Sequence, residues 1–302
     1  MDKKSSLKIY GLLGFPVRHS LSPAMHNAAF RALNIPAEYR LFEVKPEDLE
    51  DFLLKNAPIS DIDGNSLHLA DLSGFNVTIP HKVTALQIIG SVFSNKVNSI
   101  AAYVDAVNTV KVFDGKLEAF NTDGAGFWRH LTKDLKFDIL GKKVAIIGAG
   151  GASRSVCVFL CIHKAKSISV FDMDKDKLRE LVDNVLIGQF SNYNIEIKAA
   201  NSIDGLKIAD CDLLVNATPI GMKEDDPCLV DERFIHKDLL VYDLIYNPAQ
   251  TKLLKMAEKR KARVSNGLGM LLYQGAEAFE IWTGREAPVE VMRNALNQAI
   301  KR

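Results

Sequence analysis

An apolar run over residues 143–147 is closed by Gly148-Ala149-Gly150-Gly151-Ala152 and followed by a helical pattern to about residue 163. No other feature constrains the fold as strongly. Gly148 permits a tight turn, and Gly150 lets backbone N–H groups approach a bound pyrophosphate. The helix that follows offers the partial positive charge of its N-terminus. The third position of the pattern holds Ser153, so it reads GxGxxS rather than ending in glycine or alanine. A second apolar run, 167–171, ends at Asp172. A strand, a glycine loop, a helix and an acidic strand end, in that order, form a dinucleotide-binding fingerprint. The competing reading is a plain strand–helix turn.

Asp172 lies where a carboxylate accepts hydrogen bonds from the adenosine ribose hydroxyls. It would repel a 2′-phosphate, and Met173 and Asp174 offer no arginine to hold one. NAD is therefore favoured over NADP, with NADP use left open. The alternative is that Asp172 only caps a helix over 175–182.

With 302 residues, the chain exceeds one comfortable core and suits two domains. A net charge of +1 provides no field that would draw it to nucleic acid or anionic lipid. No apolar run reaches the roughly 18 residues that span a bilayer. The opening Met1-Asp2-Lys3-Lys4-Ser5-Ser6 is polar with no apolar signal core after it, so export is not expected and a cytoplasmic location is. Cys157, Cys161, Cys211 and Cys228 lack metal-ligand spacing and are expected to be reduced, as in a reducing compartment, and no metal is expected.

Ahead of the glycine loop, strands and helices mix. Residues 8–15 read as a strand. Residues 23–34 read as a helix with one apolar stripe, Ser22 as its N-cap and Pro23 as its first helical residue. Residues 39–44 read as a strand, 46–55 as a helix and 74–79 as a strand. The stretch 57–73 has no clean period and reads as a loop or a partly ordered insertion. Asp114-Gly115 is a type I′ hairpin signal. A two-residue turn pairs Phe113 with Lys116 and, counting back, sets Asn108 opposite Asn121. Asn108 then lies beside Asp123. After the loop, 213–217 and 240–246 read as buried strands. Strands alternating with helices imply a doubly wound parallel sheet. Residues 269–282 and 288–300 read as two helices that pack back on the first domain.

Lys82 closes Gly74-Phe75-Asn76-Val77-Thr78-Ile79-Pro80-His81-Lys82, and Asp123 lies in Asn121-Thr122-Asp123-Gly124. A partly desolvated lysine exchanges protons near neutral pH. An adjacent carboxylate would orient a substrate hydroxyl. Taken alone, a lysine is more often a solvated surface residue. His81 reads as structural. Ser20 and Ser22, where a loop meets a helix, could hold a carboxylate. The simpler reading of Ser22 is a cap.

Blocks in one order carry a resemblance: Gly14-Phe15-Pro16-Val17-Arg18-His19-Ser20-Leu21-Ser22-Pro23, then 76–82, Ala106-Val107-Asn108-Thr109 and Asn121-Thr122-Asp123-Gly124. Asn216-Ala217-Thr218-Pro219-Ile220-Gly221-Met222, Tyr246-Asn247-Pro248 and Gly267-Leu268-Gly269-Met270-Leu271-Leu272-Tyr273-Gln274-Gly275-Ala276 continue it. The chain resembles the shikimate dehydrogenase family, including its quinate/shikimate branch. The resemblance implies an α/β fold of two domains. Residues 1–122, completed by 267–302, would bind substrate, and 123–266 would form a Rossmann-like doubly wound parallel sheet.

It further implies that Ser20 and Ser22 hold a substrate carboxylate. Thr78, Lys82, Asn108, Asp123 and Gln274 would contact ring hydroxyls, with Lys82 transferring the proton. Tyr246 would face the substrate. Thr218 and Gly267 would join Gly148, Ala149, Gly150, Gly151, Ala152 and Asp172 at the cofactor. NADP-using members carry Asn-Arg-Thr where this chain has Asp172-Met173-Asp174, which puts NADP use in doubt.

The expected activity is reversible oxidation of shikimate to 3-dehydroshikimate in the shikimate pathway, with quinate as an additional or preferred substrate. The site is expected in a cleft between the domains, closing on binding. The small molecule is the expected partner, and oligomeric state is not readable, a homodimer included. A non-catalytic sensor of cofactor and metabolite is the alternative from another class. Such a protein would be expected to lose Lys82 or Asp123, or to gain a DNA-binding domain.

Overall fold

The computed structural model describes residues 7–92 and 95–301, so the polar opening segment 1–6 lies outside the described residues. The chain forms two compact units, Met1–Gly126 with Leu272–Arg302, and Phe127–Leu271. Both are α/β.

In the first unit, β1 (Lys8–Gly14), β2 (Ala37–Glu43), β5 (Leu72–Val77), β6 (Lys96–Val97), β7 (Thr109–Phe113) and β8 (Lys116–Phe120) form one mixed sheet in the order β2-β1-β5-β7-β8-β6. The pair β1–β2 and the pair β1–β5 are parallel, whereas β5–β7 and β7–β8 are antiparallel. The β7–β8 hairpin turns at Asp114 and Gly115, both with positive φ. Phe113 pairs with Lys116 and Thr109 with Phe120. Stretch 57–73, expected to be a loop or a partly ordered insertion, is ordered. It holds a two-stranded hairpin, β3 (Ile59–Ser60) and β4 (Ser66–Leu67), and the start of β5. Asp61 organises it by accepting from the backbone N–H groups of Asp63 and Asn65, local bonding that no hydrophobic period reports. Residues 46–55 divide into a 3₁₀ turn, Pro46–Asp48, and a helix, Leu49–Lys55.

Leu13, Phe42, Phe52, Phe75 and Val110 are buried on one side of this sheet. Elsewhere in the unit Tyr10 stacks on Phe30 and Trp282, and Phe279 packs tilted against Phe30. Trp282 also donates from Nε1 to the Val110 carbonyl at 2.9 Å. These contacts fasten the helix Leu268–Thr283 to residues far ahead of it in the chain.

The second unit is the doubly wound sheet. Its strands β9 (Lys143–Ile147), β10 (Ser167–Phe171), β11 (Glu196–Ala199), β12 (Leu213–Asn216), β13 (Leu240–Asp243) and β14 (Arg263–Ser265) run in the order β11-β10-β9-β12-β13-β14. Every pair is parallel. Strand order reverses between β9 and β12, the switch point where open α/β sheets bind ligands beyond the strand ends. The sequence reading missed β11 and β14. They are edge strands of four and three residues, too short to show a period.

Candidate active site

Two strand ends of the first unit bring its chemistry together. Lys82 is the first residue of the helix Lys82–Gly90, just after β5. Asp123 opens the helix Asp123–Arg129 just after β8. Lys82 Nζ donates to Asp123 Oδ2 at 2.5 Å, and both side chains are largely withdrawn from solvent. A cation in the first turn of a helix is disfavoured by the helix dipole, and the carboxylate offsets this. Asn108, one residue before β7, reaches Asp123 because of the hairpin register, and its Nδ2 donates to Asp123 Oδ1 at 2.7 Å. Asp123 N in turn donates to Asn121 Oδ1. An amine, a carboxylate and an amide thus converge from positions about forty residues apart in sequence. Among the described residues no cluster of His, Cys, Asp or Glu has metal-ligating geometry.

The other residues expected at the substrate belong to the same unit, Tyr246 excepted. Ser22 is not the N-cap. It is the first residue of the helix Ser22–Ala32, and Leu21 caps it without a side-chain bond. The local turn is made instead by Ser20, whose Oγ accepts from Ser22 N at 3.2 Å. Ser22 is thereby released from capping. Thr78 follows β5 and packs its methyl where a side chain on Gly14 would stand. Gln274 is buried on the helix Leu268–Thr283. A Cβ on Gly126 would fall 2.5 Å from Gln274 N, so the glycine lets the helix carrying Asp123 cross the helix carrying Gln274. The sequence reading missed Gly126, although Gly124 and Gly126 flank one residue in the motif. His81 is structural: buried, with Nε2 bonded to the Val44 carbonyl at 2.7 Å.

In the second unit the glycine loop joins β9 to the helix Gly151–Ile162. Gly148 has φ +108°, and a Cβ there would stand 3.0 Å from the Ala217 backbone. Gly150 differs, since a Cβ there would meet nothing within 4 Å. Its lack of a side chain serves no internal packing and leaves the first-turn amides of the helix accessible. A cavity of about 620 Å³ opens beside it, lined by Gly148, Gly150, Asp172, Thr218 and apolar residues including Ile147, Phe171 and Leu229. This arrangement fits a dinucleotide pyrophosphate on the helix N-terminus. Ala149, Gly151, Ala152 and Gly267 do not line that cavity. Gly267 instead packs where a Cβ would strike the Leu244 carbonyl oxygen.

Asp172 does not cap the next helix. Asp174 does, accepting from Asp176 N and Lys177 N. Asp172 Oδ2 accepts from Ala149 N at 2.7 Å and its Oδ1 from Asp174 N at 2.8 Å, so it ties the glycine loop to the end of β10. Lys177 lines the same cavity, 3.0 Å from Asp174. Sequence reasoning missed this cation, which does not directly follow Asp172 and which one helical turn brings back to the strand end. Thr218 donates from N and Oγ1 to Asn216 Oδ1. Asn216 also donates to the buried Asp243, whose carboxyl burial pushes above the usual range. Burial likewise pushes up the phenol of Tyr246, which follows β13 in this unit. Cys157, Cys161 and Cys211 are free and buried, and burial pushes the Cys157 thiol up to about 12, so these are inert packing groups. No helix among the described residues is long and apolar enough to cross a membrane.

Residues 12–110 match the family model for the shikimate dehydrogenase substrate binding domain, and residues 267–296 match that for the shikimate 5′-dehydrogenase C-terminal domain. A shikimate dehydrogenase (NADP+) of Methanopyrus kandleri is 43% identical over 300 residues, covering 97% of this chain and 96% of that one. A solved shikimate 5-dehydrogenase from Listeria monocytogenes, in complex with shikimate and NAD, is 34% identical with a TM-score of 0.82, covering 98% of this chain and 99% of that one. A quinate dehydrogenase from Corynebacterium glutamicum in complex with NAD is 28% identical with a TM-score of 0.81, covering 96% and 99%.

Proposed function

The chain belongs to the shikimate dehydrogenase family of NAD(P)-dependent oxidoreductases, and on that premise we propose that it oxidises shikimate reversibly to 3-dehydroshikimate. The observation that carries the reading is the contact of Lys82, Asp123 and Asn108 in the first unit, at 2.5 and 2.7 Å. Lys82 takes the hydroxyl proton during oxidation and returns it in reduction. Asp123, held by the Asn108 amide, accepts from a ring hydroxyl and keeps the Lys82 amine aimed at it. Ser20 and Ser22 bind the substrate carboxylate, and Thr78 and Gln274 the remaining hydroxyls. Tyr246 is proposed as a further substrate-facing residue. A bound nicotinamide supplies the hydride acceptor. The dinucleotide would be held by Gly148, Gly150 and the first turn of the helix Gly151–Ile162, with Ala149, Gly151, Ala152, Thr218 and Gly267 shaping the loops around it.

NAD is the favoured cofactor because Asp172 offers carboxylate oxygens at the cavity where a 2′-phosphate would be repelled. A second reading, NADP, is favoured by Lys177 on the same cavity and by the NADP-type name of the Methanopyrus kandleri relative. The likeness to a quinate dehydrogenase supports quinate as a further substrate.

Rates followed at 340 nm with shikimate and quinate, each with NAD and NADP, test these points together. Shikimate with NAD is expected to be fastest. Faster turnover with NADP would overturn the cofactor preference, faster turnover with quinate the substrate, and no absorbance change in any arm the dehydrogenase itself. Asp172→Arg is expected to move the ratio toward NADP. An unchanged ratio would leave Asp172 as a tie for the glycine loop only.

A further inference from the structure

Three polar side chains that no substrate role absorbs stand in file behind the Lys82–Asp123 pair. Tyr39, on β2, donates its phenol proton to Asn76 Oδ1 at 2.7 Å. An amide oxygen only accepts, so this bond fixes which way the Asn76 amide faces. Asn76 Nδ2 then donates to Thr109 Oγ1 at 2.9 Å and to the Asn108 carbonyl at 3.1 Å. Having accepted there, the Thr109 hydroxyl donates onward to Asn108 Oδ1 at 2.9 Å. Thr122 N donates to the same oxygen at 2.8 Å. Asn108 therefore keeps Oδ1 inward and presents Nδ2 to Asp123. Turned over, it would set an amide oxygen against a carboxylate oxygen with no proton between them.

The far end of the file is anchored as well. The Tyr39 ring is held in place by stacking on His26, centroids 4.4 Å apart and nearly coplanar. Ser22, Tyr39, Asn76, Asn108 and Thr109 are all buried, none more than 4% exposed. Apolar side chains of similar shape can replace a fully satisfied polar set at little cost in stability, so stability alone does not account for these groups.

We infer that Tyr39, Asn76 and Thr109 are positioning residues: they lock the Asn108 amide in the one orientation that donates to Asp123. The inference rests on the dehydrogenase reading given above.

Thr109→Val keeps the shape and removes the hydroxyl. It is expected to lower kcat with shikimate by at least about 10-fold, the scale of one misdirected buried hydrogen bond. The KM for shikimate and the dinucleotide Kd from NADH fluorescence should each stay within about twofold. Thr109→Ser restores the hydroxyl and should recover most of the lost kcat, a rescue that a purely packing role would not produce. Wild-type kcat in Thr109→Val, or equal losses in the valine and serine variants, would overturn the inference. Should Thr109→Val fail to fold, Tyr39→Phe decides in the same assay. A loss confined to kcat supports the file, and unchanged kcat overturns it. A wild-type protein that reduces no cofactor would instead sink the dehydrogenase reading, a result distinct from an active wild type with an equally active Thr109→Val.

Discussion

The two units handle polar chemistry in opposite ways. In the first, side chains bond to side chains: Lys82, Asp123, Asn108, Thr109, Asn76 and Tyr39 each find a partner of matching polarity. In the second, the candidate site is mostly backbone and apolar wall, with Gly148 and Gly150 beside Ile147, Phe171 and Leu229 and only Asp172, Lys177 and Thr218 bringing polar side chains. The first arrangement is written in residue identities and is lost when one group changes. The second is written in missing side chains and a helix terminus, and is lost when a side chain is added. The contrast suits their proposed tasks, because moving a proton needs particular atoms, whereas cradling a phosphate needs many equivalent N–H groups.

The sharpest way to break this contrast is Lys82→Ala. Turnover should fall by at least about 100-fold, the usual scale of acid–base catalysis, while dinucleotide binding measured by fluorescence is retained. Near-normal turnover would remove Lys82 from proton transfer. Next in size are two glycine substitutions that should fail differently. Gly148→Ala places a side chain at φ +108° against the Ala217 backbone and should cost about 1–3 kcal/mol of stability in urea denaturation. Gly150→Val meets open space and should leave stability nearly unchanged while weakening dinucleotide binding about 10-fold. Unweakened binding in that variant would mean that the loop is only a turn.

The effect that is smallest at neutral pH concerns His26, whose two ring nitrogens are buried without a hydrogen-bond partner. Burial pulls this imidazole down to about 3. In the unfolded chain it titrates near about 6.5. Above that pH neither state holds the proton. As pH falls through this window, the unfolded chain takes up a proton that the folded chain refuses, so stability is lost by up to about 1.4 kcal/mol per pH unit. His26→Phe keeps an aromatic ring beside Tyr39 and should flatten the decline between pH 6.5 and 4 by that slope. Parallel stability profiles for the two proteins would show that His26 does not titrate on unfolding.

What the sequence made legible follows the same division. The glycine loop and the alternating strands around it are local patterns, and they led directly to the doubly wound sheet. Asp114-Gly115 set a hairpin register that carries Asn108 to Asp123, a rare case in which a turn reports a contact fifteen residues apart. The file from Tyr39 to Thr109 was not legible, because it joins β2, β5 and β7, whose pairing no local period encodes. Ser22 was misread as a cap because serine before proline is a common helix start, whereas here Ser20 makes the turn and Ser22 lies inside the helix. Lys177 was not legible because it reaches the cavity only through a helical turn, five residues beyond Asp172 in sequence.

The central claim is that Lys82 and Asp123 work as one device. The most direct test is a double-mutant cycle on kcat at 340 nm with shikimate, using Lys82→Ala, Asp123→Ala and the double variant. Groups that act as a unit are strongly non-additive, so the double variant should be about as slow as the slower single one. If the two losses instead multiply in full, the amine and the carboxylate act independently and the account is contradicted.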